Sequence, residues 1–262
     1  MTEAFVLLAG LAVGSFLNVC IHRLPKDESI VRPRSHCPNC MRPVAWFDNI
    51  PLVSFLILRG RCRQCRARIS WRYPAVELVS GLLWFLSWRA FEGGPMFWIQ
   101  TLFLTLLLVV SLTDLETGLI PDEVSVFGIV AGLATSFLYP DLHAVCRGGV
   151  KLALPCGLIE SVMGLAVGGT LLYLTAQAGN WIFQRESMGG GDIKFLAMVG
   201  VFLGWQKVLL TFFTAPLPAL PFALYRRWVK REEIIPYGPF LALAAAVQFF
   251  YGDVIWKYFL EI

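Results

Sequence analysis

The chain has 262 residues, of which 57% are hydrophobic, 14% aromatic and only 15% charged, a balance that excludes an ordinary soluble domain and points to an integral membrane protein. A formal net charge of +4 is explained by membrane topology and gives no reason to expect a nucleic-acid partner.

The first uncharged run, Ala4 to Ile21, approaches the ~20 residues that cross a bilayer as a helix. Met1, Thr2 and Glu3 precede it and the basic residues follow, so it reads as an uncleaved span with its N-terminus outside and not as a signal peptide. After a polar segment, further spans are predicted at Leu78 to Trp88, Met96 to Thr113, Val124 to Pro140, Leu152 to Ala176, Phe195 to Gln206, Val208 to Tyr225 and Ile234 to Gly252. The expected fold is therefore an all-α membrane protein with about eight transmembrane helices. Alternation from the first span puts the loops 22–73, 114–122, 177–194 and 225–233 in the cytoplasm, where they hold 17 of the 22 Lys and Arg residues. The positive-inside rule thus supports eight spans with both termini outside. Pro216, Pro218 and Pro221 predict a broken seventh span, a lateral path for a substrate helix.

The segment from His22 to Tyr73 is too small to stabilise itself by a hydrophobic core. Cys37 and Cys40, with Cys62 and Cys65, form two CxxC pairs at the spacing of a four-cysteine zinc knuckle. A cytoplasmic location disfavours two disulfides, and four protein ligands close the site, so the expected zinc is structural. The arginines Arg59, Arg61, Arg63, Arg66, Arg68 and Arg72 read first as inner-face anchors and thiolate neighbours, with lipid phosphates or an anionic cofactor as the alternative ligands. Cys146 and Cys156 flank an outer loop and can pair if that compartment is oxidising.

Asp114 and Asp192 sit where long apolar runs meet polar turns, and both fall on the cytoplasmic side. A carboxylate in a span costs roughly 2.5 to 3.5 kcal/mol on insertion scales, so two of them on one face suggest an aspartic hydrolase. Asp122, next to Pro121 and Glu123, has a simpler reading as a helix-start residue. Gly189, Gly190 and Gly191 leave room for an extended peptide beside Asp192. Lys194 either acts on a nearby carboxyl or snorkels to the interface. Two neighbouring carboxyls share a proton: one takes a proton from the attacking water while the other protonates the scissile carbonyl oxygen.

With these segments in order, the chain resembles the prepilin peptidase family: Gly14 to Pro25 (GSFLNVCIHRLP), both CxxC pairs, Asn49 to Cys65, Tyr73 to Glu77, Asp114 to Asp122 (DLETGLIPD), Glu186 to Lys194 (ESMGGGDIK) and Pro236 to Phe240 (PYGPF). The resemblance implies an inner-membrane aspartic protease of the Gly-x-Gly-Asp type with Asp114 and Asp192 as catalytic residues. Its implied substrates are type IV prepilins or type II secretion pseudopilins, cut after a short basic leader and then N-methylated from S-adenosylmethionine. The stretch from Pro25 to Cys37 is shorter than in many relatives. The domain reading is a first span over 1–22, a cytoplasmic four-cysteine zinc domain over 23–73 and a seven-helix peptidase domain over 74–262. A basic leader at a basic membrane face needs acidic contacts, expected from Glu116, Glu123, Glu186, Glu232 and Glu233. Glu77 is a candidate to bind the methyl donor or pair with the arginines, or a helix-entry dipole partner. The rival readings are a non-catalytic membrane scaffold with a zinc docking loop and an intramembrane aspartic protease with another substrate.

Overall fold

The computed structural model describes residues 2–143, 146, 156–184, 188–230 and 236–260. Helices dominate and no strand occurs among the described residues; two isolated antiparallel bridges are the nearest approach to one. The helices are α1 (Thr2–Arg23), α2 (Val53–Ile57), α3 (Arg72–Phe91), α4 (Pro95–Thr117), α5 (Asp122–Leu138), α6 (Cys156–Phe183), α7 (Gly190–Thr214), α8 (Pro216–Tyr225) and α9 (Gly238–Leu260). Each predicted span overlaps one of them. The chain divides into two compact units, Met1–Thr105 and Leu106–Ile262, with the division inside α4.

In the first unit α1 packs along α3, and small residues let the two backbones approach. Ser80 Oγ donates to the Gly10 carbonyl at 2.8 Å, and Asn18 Nδ2 donates to the Tyr73 carbonyl at 3.1 Å. Between these helices the chain is mostly irregular, with the short α2 and two 3-10 turns in it. The buried Arg23 guanidinium anchors it, donating to the carbonyls of Ser29 and Pro33 at 2.8 Å each.

The second unit is built around the first arm of α7. Every residue from Phe195 to Gly204 is buried, against α5, α6 and α9. The contact with α6 is backbone to backbone: a Cβ on Gly200 would lie 2.1 Å from the Gly164 carbonyl oxygen. At Gly204 the chain takes φ 78° and ψ 171°, a backbone that side chains disfavour, and it folds back there. A Cβ on Gly168 would meet both the Leu196 carbonyl oxygen at 2.5 Å and a Val208 methyl at 3.2 Å. An unbroken helix would hold residues twelve positions apart at ~18 Å. The reversal expected between Gln206 and Val208 thus lies at Gly204, inside the sixth predicted span. The prolines of α8 act less sharply, because Ala215 before them keeps helical angles (φ −58°, ψ −38°).

Among the described residues, five helical segments are long and apolar enough to cross a membrane: Thr2–Lys26, Pro95–Thr117, Cys156–Phe183, Gly190–Val229 and Gly238–Tyr258. The difference from eight has physical causes. Helix α3 carries Arg72, Glu77 and Arg89, α5 has only 17 residues, and Gly190–Val229 counts once although it reverses at Gly204. Large apolar side chains such as Phe5, Phe127, Leu174, Phe213 and Leu217 lie exposed on these helices, as lipid-facing residues do. Cys146 and Cys156 form a disulfide at the start of α6.

Candidate active site and metal centre

Asp114 lies in the last turn of α4 and Asp192 in the first turn of α7, both in the second unit. Asp114 is buried, and its Oδ2 accepts the Gly238 backbone N–H at 2.7 Å. Asp192 is close enough for the charge of Asp114 to act on it, and its Oδ1 is buried without a hydrogen-bond partner among the described residues. The entry to α9 closes the cluster. Tyr237 directly precedes Gly238, within reach of the Asp192 charge. At the ends of three helices, Asp114 is thus in contact with the Gly238 N–H, and Asp192 lies within reach of the charge of Asp114.

The other expected contacts sort differently. Lys194 pairs with Asp122, and both are exposed. Asp122 opens α5, where its charge also complements the helix dipole. A Cβ on Gly191 would lie 3.0 Å from Ile120 Cβ, so this glycine lets α7 start against the turn that follows α4, whereas Gly190 opens to free space. Gly189 is extended, with φ −71° and ψ 145°, and precedes the helix. Glu116 and Glu123 are exposed near these turns. Glu186, Glu232 and Glu233 lie outside the described residues. The role of Gly238 and Tyr237 was not read from the sequence, although a glycine between two prolines ahead of an apolar run is the signal that marks them.

In the first unit, Glu77 is buried and its Oε2 accepts the Leu52 N–H at 2.8 Å. This bond ties the loop before α2 to α3. The four cysteine sulfurs lie within 4.8 Å of one another, with Cys37 and Cys65 Sγ 3.8 Å apart. That separation is far beyond a disulfide and equals the ~3.8 Å edge of a tetrahedron with ~2.3 Å zinc–sulfur bonds. The two CxxC turns repeat each other. Met41 N–H donates to the Cys37 carbonyl and Arg66 N–H to the Cys62 carbonyl, both donors at positive φ, and the bridges His36–Pro43 and Arg61–Arg68 flank the turns. The backbone N–H of Ala67, with help from Asn39 and other cysteines, lowers the Cys65 thiol, whereas, against the Arg42 backbone bond, burial and the neighbouring thiols raise that of Cys40. The four residues could hold a metal ion and fit the four-thiolate set of zinc.

Fold and site together define a helical multi-pass membrane protein with two neighbouring carboxyls at helix ends and a four-thiol knuckle domain, the arrangement of a membrane aspartic peptidase. Residues 8–91 match the Bacterial Peptidase A24 N-terminal domain, and residues 101–224, which include both aspartates, match the Type IV leader peptidase family. The chain is 34% identical to a prepilin leader peptidase/N-methyltransferase of Aeromonas salmonicida over 98% of its own length and 94% of that protein's. It is 38% identical to one of Klebsiella pneumoniae, over 81% of this chain and 90% of the relative. One of Myxococcus xanthus is 43% identical over 78% of this chain, a match that spans 57% of that relative's length. No solved structure matches significantly. The chain belongs to the prepilin leader peptidase/N-methyltransferase family.

Proposed function

We propose that this protein cleaves the short basic leader from type IV prepilins or type II secretion pseudopilins at the cytoplasmic face of the bacterial inner membrane, and then N-methylates the new N-terminus. The observation that carries cleavage is Asp114 held by the Gly238 N–H with Asp192 within reach of its charge. Asp114, with Oδ2 held by Gly238, takes a proton from water as the water oxygen attacks the scissile carbonyl carbon. Asp192 gives its proton to the carbonyl oxygen. As the tetrahedral adduct collapses, the carbon–nitrogen bond breaks, the proton held by Asp114 passes to the leaving amine and one hydroxyl of the adduct returns its proton to Asp192. Gly189 and Gly190 leave space for the extended peptide, while Glu116, Glu123 and Glu186 attract the basic leader. Lys194 orders the neighbouring turn through Asp122.

The membrane reading is eight spans, with α7 counted as two arms, both termini outside, and the cysteine domain in the cytoplasm. The Cys146–Cys156 disulfide supports an oxidising outer location for the loop before α6. Cys37, Cys40, Cys62 and Cys65 hold zinc. Methylation from S-adenosylmethionine is supported by the names of the relatives, and the engagement of Glu77 with Leu52 favours a structural tie over methyl-donor binding there. The test is a purified prepilin incubated with the protein, with the leader followed by mass. Asp114→Asn and Asp192→Asn are expected to lose at least ~1,000-fold in cleavage rate. Full cleavage by either variant overturns the dyad.

A further inference from the structure

The cysteine domain carries a cavity that neither zinc binding nor cleavage uses. It has a volume of about 480 Å³, and its walls include Arg59, Arg61, Arg68, Phe55, Leu56 and Trp71. Among the described residues no carboxylate lines it, and none of the three guanidiniums makes an ion pair with one, whereas Arg63 nearby is held by Asp48 at 2.6 Å. Arg61 and Arg68 face each other across an antiparallel bridge, a like-charge pairing that is unfavourable without a counter-charge. A four-thiolate zinc centre answers part of this charge from outside, since no cysteine is in the cavity wall.

The missing counter-charge decides the ligand class. S-adenosylmethionine carries a sulfonium, an ammonium and a single carboxylate, so its net charge is positive and three arginines with no acid repel it. An anion is required. The rim narrows the choice further: Leu56 is 70% and Trp71 75% exposed, and the Phe55 and Trp71 rings meet at a 58° tilt with centroids 4.8 Å apart beside the arginines. Arginine beside exposed tryptophan and leucine is the chemistry of a membrane–water interface facing anionic headgroups. The domain is also joined at both ends to α1 and α3, which keep it at the membrane surface.

We propose that this cavity binds the phosphate of an anionic phospholipid of the cytoplasmic leaflet, with Arg59, Arg61 and Arg68 on the phosphate and Leu56 and Trp71 among the adjoining acyl carbons. The site rests on the topology proposed above and is independent of the cleavage chemistry. The test uses the full zinc-loaded chain in detergent micelles holding equal phosphatidylglycerol and phosphatidylcholine, with retained lipids counted by native mass spectrometry. A micelle has no sides, so a wrong topology leaves this result unchanged.

The parent chain is expected to retain phosphatidylglycerol selectively. The Arg59→Gln/Arg61→Gln/Arg68→Gln variant is expected to retain about tenfold less, with zinc content and leader cleavage in detergent preserved. If that variant loses zinc, Arg68→Gln alone, with zinc retained, is expected to weaken retention about threefold. Equal retention by variant and parent overturns the site. Displacement of the lipid by micromolar inorganic phosphate overturns the lipid source in favour of a free anion. Loss of S-adenosylmethionine binding with unchanged lipid retention overturns it in favour of the methyl donor.

Discussion

Asp114 keeps its orientation through one backbone donor, and the smallness of Gly238 allows the approach. A Cβ there would stand 2.9 Å from Asp114 Oδ2. Gly238→Ala is therefore expected to lower kcat for leader cleavage by about 10- to 100-fold while the melting temperature moves by only a few degrees, because misplacing a reacting group is costly even where packing adjusts. A normal kcat would remove Gly238 from the site. His143 offers a second residue-scale prediction, on stability. It is buried between Ser136 and Ser161, with its Nε2 2.9 Å from Ser161 Oγ. Burial, and then the Lys207 charge, lower it from 6.5 to about 4, with Asp253 opposing. Glu160 also faces this pocket across Gly204. The folded state keeps the imidazole neutral while the unfolded chain protonates it, so its contribution is present above pH 6.5 and lost as pH falls through about 4. The loss is of the order of 3 kcal/mol. In detergent, the melting temperature of the parent should fall more steeply between pH 7 and 4 than that of His143→Gln; parallel curves would contradict this. The aspartates were legible as costly charges in apolar sequence, but the histidine cluster was not, since Ser136, His143 and Ser161 show no pattern until α5 and α6 are packed.

At the scale of elements, the helices follow from the apolar runs and the knuckles from the CxxC spacing. The reversal at Gly204 was approached only through the gap between two predicted spans, because a glycine in a hydrophobic stretch carries no sign of its dihedral angles. The α6–α7 contact is similar: glycines at 164 and 200 become meaningful only when the two carbonyl backbones are seen to touch. Gly200→Ala places a Cβ 2.1 Å from the Gly164 oxygen, whereas Gly190→Ala meets nothing within 4 Å. The first is expected to cost about 3 kcal/mol or more and to abolish a cooperative melt near the parent's temperature, the second to leave the melt within about two degrees. Equal melting of the two would mean that helix α6 can shift away freely.

For the whole molecule, the charge pattern predicts an orientation before any packing is known, since 17 of 22 basic residues fall in loops assigned to one side. A phosphatase reporter that is active only outside the cytoplasm, fused after Ile262, should be active, and the same reporter placed between Asp27 and Ser35 should be silent. The opposite pattern would invert the topology. The two compact units also separate the labours: the cysteine domain lies with α1 and α3, and both aspartates lie with Gly238 in the second.

Sequence alone determined the membrane class, the helix positions, the four thiols and the two aspartates. Each of these depends on residue type and local spacing, which the chain carries in one dimension. Only the tertiary structure decided that Gly238 holds Asp114, that Lys194 answers Asp122, that Glu77 fixes Leu52 and that three arginines face one cavity. Those partners are far apart in sequence or lie on opposite sides of a turn, and a hydrogen bond or a charge contact exists only once packing has brought both groups within a few ångströms.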